Sequence, residues 1–268
     1  MIAATENRAG RRIARLFRKM RELPRDIRTC DLDGILAADS IDIQESWCLD
    51  PGYTACLVQI GDGIPPGILL AGGQPRGRKR FSIAHELGHL YIPTHANRHL
   101  GCCSESAMVA NDGVGDQLEW EANDFAAELL MPQHMFAKDA SQLTPSFGSI
   151  ARLAAADAYD VSVTAAAVRY MEVTRSACAL VSSRDGFIEW VIKSETFVYR
   201  IPWRGDRLPP SALAASGPAV LEPQCVAPEV WLEFAQRRPV EVFESTHCVP
   251  SQRQVLSLVW VEEGGEWE

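Results

Sequence analysis

His85-Glu86-Leu87-Gly88-His89 constrains this chain more than any other stretch, because two histidines four residues apart lie on one face of a helix and can share a metal ion. Each imidazole can bring a nitrogen to about 2.0–2.1 Å from Zn2+. Glu86, beside the first histidine, stands where a general base would take a proton from water. A purely structural histidine pair would need no glutamate between its members. The flanking residues predict the helix, with Ser82 a candidate N-cap, Ile83, Leu87 and Leu90 an apolar stripe at helical spacing, and Pro93 the stop.

A third ligand is needed, and the residues offer two kinds. His95 lies ten positions after His85, the spacing of H-E-x-x-H-x-x-G-x-x-H, but Ile92 and Pro93 stand where the turning glycine belongs. The alternative is a carboxylate on a second helix, as in His2Glu sites. Leu118 to Leu130 is rich in helix formers and ends at Met131-Pro132. Its apolar stripe is Leu118, Ala122, Phe125 and Leu129, with Glu121 at the border and able to point inward.

With these two blocks, Arg80-Phe81-Ser82-Ile83-Ala84-His85-Glu86-Leu87-Gly88-His89 and Glu121-Ala122-Asn123-Asp124-Phe125-Ala126-Ala127-Glu128-Leu129-Leu130-Met131-Pro132, the chain resembles the ImmA/IrrE metallopeptidases. The resemblance implies a zincin-like fold, Zn2+ bound by His85, His89 and a glutamate opening the second block, and Glu86 as catalytic base. Position by position that glutamate is Glu121, with Glu119 the alternative ligand. Asn123 and Asp124 look like partners that orient a ligand histidine through its other ring nitrogen, although Asp124 reads equally well as an ordinary solvated helix acid. The implied substrate is a helix-turn-helix transcriptional repressor whose cleavage releases mobile-element, prophage or stress-response genes. Tyr91, His95 and His134 are candidates for the donor that stabilises the oxyanion.

Composition narrows the setting. The chain has 268 residues, enough for two or three compact units, no run of eighteen apolar residues, and an N-terminus too polar for a secretory signal, so a cytoplasmic protein without a membrane partner is expected. Its 8 cysteines show no C-x-x-C spacing and do not read as a disulfide framework. Cys102-Cys103, close after His95 and His99, is the odd placement, a loop with conceivable redox or metal chemistry. The net charge of -9 argues against nucleic acid as a general partner. Arg8 to Arg28 is nevertheless crowded with cations, and Ile13, Leu16, Phe17, Met20 and Leu23 predict an amphipathic helix that docks its apolar face and leaves a basic outer face.

The expected architecture is α+β. Tyr53 to Ile60 and Gly67 to Ala71 read as strands of a small sheet before the metal helix, punctuated by Gly61-Asp62-Gly63, and Arg76 to Arg80 as a solvated turn. A free edge of that sheet could hold an extended peptide. Residues 1–145 are expected to form the peptidase-like domain, 146–175 a helical segment compatible with helix-turn-helix around Asp160-Val161-Ser162, and 176–268 a separate α+β domain. The second helix of that segment has Arg169 as its one cation and little with which to read bases. In the last domain Ala179 to Ile192 reads as a hairpin around Ser183-Arg184-Asp185-Gly186, and Phe197 to Ile201 and Val255 to Val261 as further strands. Some family members carry a GAF-like sensory domain here, and Trp190, Trp203, Trp231 and Trp260 are candidates to line a ligand pocket. A different class of function also fits the residues: a non-catalytic regulator that keeps zinc as a staple, or a toxin-antitoxin component, acting by binding a partner protein or DNA. Intact Glu86 and an open fourth metal position favour hydrolysis over it.

Overall fold

The computed structural model describes residues 8–49, 52–59, 63–95, 100–104, 117–216, 219–233, 240–249 and 253–263. The fold is α+β and divides into two compact units, one of residues 4–135 with 154–165, the other of 136–153 with 166–268. Among the described residues no helix is long and apolar enough to cross a membrane.

The N-terminal unit runs α1 (Ala9–Met20), α2 (Leu32–Ala38), β1 (Asp42–Ser46), β2 (Tyr53–Val58), β3 (Gly67–Ala71), α3 (Arg76–Tyr91), a 3-10 turn (Pro93–His95), β4 (Leu100–Ser104) and α4 (Gln117–Leu130). Its sheet has the order β1-β3-β2-β4, with β1 parallel to β3 and the other pairs antiparallel. The expected strands at Tyr53 and Gly67 are present, while Ile60, Gly61 and Asp62 lie outside the described residues. β4 forms one edge, and α3 packs over β2, β3 and β4.

α1 docks by a different face from the one its apolar residues predict. Gly10, Arg11, Ala14 and Phe17 are buried, whereas Leu16 and Met20 are 51% and 74% exposed. The cause is charge: Arg8 and Arg11 reach Asp124 at 3.0 and 3.2 Å, and Arg15 reaches Glu128 at 3.0 Å. Asp124 and Glu128 are one helical turn apart, so the arginines climb α4 in register. Gly10 permits the approach, since a Cβ there would lie 2.0 Å from the Glu121 carbonyl oxygen. The basic residues therefore face inward in part, and Arg18 donates to the Leu129 carbonyl at 2.7 Å near the end of α4.

The other unit contains most of α5 (Gln133–Ala140), α6 (Phe147–Ala154), α7 (Val163–Val173) and β5 (Ala177–Arg184), β6 (Phe187–Lys193), β7 (Gln224–Val226), β8 (Val240–Val249) and β9 (Gln254–Glu263). The sheet order is β6-β5-β9-β8-β7, every pair antiparallel. The helical stretch 146–175 is not a body of its own: most of α6 and α7 belongs with this sheet, and residues 154–165 belong with the N-terminal unit. Arg169 is 1% exposed and paired with Glu172 at 2.8 Å, which removes the cation that base contact would need. Asp185 and Gly186 turn the expected hairpin, both at positive φ. Phe197 to Ile201 is irregular instead of a strand, because its backbone is taken up elsewhere: Lys193 Nζ donates to Tyr199 O and Glu233 N to Arg200 O. The tryptophans do not line one pocket. Trp231 and Trp260 are core, Trp260 stacking on Phe243, while Trp203 is 53% exposed. Glu244 is fully buried and accepts from the indole of Trp231 at 2.9 Å, from Leu213 N at 2.9 Å, from Ala214 N at 3.3 Å and from Ser257 Oγ at 3.1 Å.

Candidate metal centre

α3 begins six residues before its predicted N-cap. Ser82 is buried in mid-helix, and Pro75 holds the N-cap position. Gln74 fixes this start by donating to Thr54 O and Ala71 O, at 2.6 and 3.1 Å. The cations expected in a solvated turn form the first turns of the helix. Arg76 bonds the Asp160 carboxylate, and Arg80 donates to Asp160 O at 2.9 Å and to Cys30 O at 2.6 Å. Asp160 sits at φ 50, a left-handed position that aspartate tolerates. The break after α6 thus serves as the anchor for α3, and a Cβ on Gly77 would lie 2.4 Å from the Val161 carbonyl carbon. Ile92 caps the far end, just before Pro93, as the sequence predicts.

Every residue from Arg80 to His89 is buried, with α3 lying between the sheet and α4. Gly88 sets the spacing to α4: a Cβ there would be 3.0 Å from Ala122 Cα and 3.2 Å from Phe125 Cβ. That closeness brings a carboxylate to the two histidines. His85 Nε2 and His89 Nε2 are 3.0 Å apart, Glu119 Oε2 is 3.1 Å from the first, and Glu119 Oε1 is 3.4 Å from the second.

The carboxylate beside the histidines is therefore Glu119, not Glu121. Along α4 the buried positions Glu119, Ala122 and Ala126 follow helical spacing, so Glu119 shares the face that packs on α3. Glu121 is turned about 200° from it and meets His95 Nε2 at 3.2 Å. Asn123, one turn after Glu119, lies 2.9 Å from His85 Nδ1 through its amide oxygen. An amide oxygen only accepts, so His85 Nδ1 carries the hydrogen and Nε2 keeps its lone pair for the cluster. Asp124 does not share this role, since it holds the arginines of α1. Glu86 follows His85 on the same helix and is fully buried.

The donor set fits a divalent transition metal. Two imidazole nitrogens and a carboxylate converge at 3.0–3.4 Å, against an edge of about 3.3 Å for a tetrahedron with zinc-ligand arms of 2.0–2.1 Å. Burial lowers the pKa of His89 below its ordinary value, Glu119 opposing and His85 and His95 reinforcing the shift. Burial pushes the Glu119 carboxyl up, but hydrogen bonds to His85 and His89, and their charge, together outweigh it and hold the group well below the usual carboxylate range. Both shifts favour the forms that bind a cation.

Each of the three candidate oxyanion donors has neighbours of its own. The Tyr91 hydroxyl donates to Asp39, His95 stands behind His89, and His134 lines a groove of about 560 Å³ with Arg15, Arg18, Lys19 and Arg25 near the end of α4. His99 and the side chains of Cys102 and Cys103 lie outside the described residues.

Residues 52–171, from β2 through most of α7, match the sequence model of Peptidase_M78, the IrrE N-terminal-like domain. No curated protein matches the chain. Among solved structures, a Mycobacterium tuberculosis transcriptional regulator is similar in fold, with a TM-score of 0.57 over 94% of this chain and 87% of that chain at 17% identity.

Proposed function

We propose that this chain, a member of the ImmA/IrrE family through the IrrE N-terminal-like domain at residues 52–171, is a zinc-dependent endopeptidase. The observation that carries the proposal is the convergence of His85, His89 and Glu119 on the helix pair that also holds Glu86. His85, His89 and Glu119 would hold Zn2+, in place of the set with Glu121 that the sequence suggests. When bound, zinc supplies a Lewis acid that polarises the scissile carbonyl and makes water a stronger acid. Glu86 takes the proton of the attacking water on its carboxylate and returns it to the leaving amine. Asn123 holds the His85 ring so that Nε2 faces the cluster. Among the described residues β4 is an edge strand, and its backbone groups could pair with an extended peptide. The substrate we propose is a cytoplasmic helix-turn-helix repressor, whose cleavage would release the genes it silences. This substrate rests on the family resemblance.

The test incubates wild type and Glu86→Gln, purified identically and assayed for zinc, with a candidate helix-turn-helix repressor from the same genome. Zinc in both proteins and a cut by wild type alone is expected. An equal cut by Glu86→Gln overturns the role of Glu86, and an intact repressor with zinc-loaded wild type overturns the choice of substrate.

A further inference from the structure

We propose that Glu121 and His95 form a relay that fixes the tautomer and orientation of His89, so that the two residues which compete in the sequence as third ligand act together one layer behind the metal. This rests on the zinc-site proposal and extends it. His95 is 2% exposed and held by the 3-10 turn that ends α3, its backbone N donating to Ile92 O at 2.9 Å. Its ring lies across from that of His89, Nδ1 to Nδ1, at 3.0 Å. On the other side its Nε2 meets Glu121 Oε2 at 3.2 Å. Gln117 Nε2 donates to the second oxygen of Glu121 at 3.0 Å and steadies the carboxylate.

The hydrogens follow from what each atom can do. A carboxylate accepts, so His95 carries its hydrogen on Nε2. With its single hydrogen on Nε2, the His95 ring has its lone pair on Nδ1 and accepts from His89 Nδ1, which then carries a hydrogen. His89 is left with a lone pair on Nε2, the atom 3.0 Å from His85 Nε2 and 3.4 Å from Glu119. Glu121 thus sets the state of a ligand two rings away, as Asn123 does for His85 in one step. The same geometry excludes His95 as a ligand, because one of its nitrogens is turned to the back of His89 and the other to Glu121.

Loss of such a partner typically weakens metal affinity about 10–100-fold. The experiment measures zinc dissociation constants by chelator competition, and the visible spectrum of the cobalt-substituted protein, for wild type, His95→Phe, Glu121→Ala and the double variant. Each single variant should lose affinity within about that range. The double should lose no more than His95→Phe alone, because Glu121 acts through His95. The cobalt spectrum should be unchanged throughout, the ligands being the same. Wild-type affinity in both single variants, losses that add in the double, or a changed cobalt spectrum in either single variant overturns the relay. Should His95→Phe fail to fold, Glu121→Ala alone decides by its affinity and spectrum. Failure of wild type itself to bind zinc overturns instead the metal site on which the relay rests.

Discussion

Gly88→Ala isolates the contact that delivers Glu119 to the histidines. The new methyl would stand 3.0 Å from Ala122 Cα, 3.2 Å from Ala122 O and 3.2 Å from Phe125 Cβ, so it meets backbone and the root of a fully buried ring. Ordinary carbon contacts lie at about 3.5–4.0 Å, and α4 must therefore retreat by roughly 0.5 Å. Overpacking of this kind costs about 1–3 kcal/mol, and alanine returns about 0.8–1.0 kcal/mol as the better helix former. Net destabilisation should be about 0–2 kcal/mol, small enough for the protein to remain folded by circular dichroism. Glu119 rides on α4 one turn before Ala122 and would move with it, whereas metal sites tolerate only about 0.2 Å of error. The expected result is a zinc dissociation constant raised at least about tenfold, equivalent to about 1.4 kcal/mol, by chelator competition. A folded Gly88→Ala protein with wild-type zinc affinity would refute the claim that this close approach positions Glu119.

Two further outcomes concern the C-terminal unit. Glu244→Ala removes the acceptor shared by Trp231, Leu213, Ala214 and Ser257, and should destabilise this unit by about 3–5 kcal/mol in urea unfolding followed by tryptophan fluorescence; a loss under about 1 kcal/mol contradicts a structural role for the carboxylate. The Cys178 thiol is pushed up by burial to about 12 from 9.0, so its contribution to stability is full below pH 9 and is lost as pH rises toward 12. At pH 10 the loss should be on the order of 1.4 kcal/mol, and Cys178→Ala should flatten the stability profile between pH 8 and 10; an unchanged profile contradicts the assignment.

How far the sequence led differs from element to element. The pair His85 and His89, the end of α3 at Pro93 and the existence of α4 were legible because each depends on spacing or on a breaker along one helix. The carboxylate that joins the two histidines was not, because Glu119 and Glu121 are two residues apart and the choice depends on which face of α4 meets α3. Ala122, Phe125 and Leu129 of the predicted stripe are buried as expected, but Leu118 at its start is only half-buried, and the buried face runs back to Glu119 instead. The burial of small alanines beside Gly88 is the signal that could have found it. α1 misled for a related reason. Its leucine and methionine suggested the docked face, but paired acids on α4 selected the arginines instead. Partners so distant in sequence leave no local pattern. β1, β7 and β8 are short, edge-lying or mixed in polarity, and only their hydrogen-bonded neighbours define them.

Zinc content and affinity of Glu119→Ala beside wild type and Glu86→Gln is the most direct test of the site, made on proteins purified without chelator. One zinc per chain in wild type and Glu86→Gln, with zinc lost from Glu119→Ala, is the expected result. Retention of wild-type zinc affinity by folded Glu119→Ala would contradict a centre built from His85, His89 and Glu119.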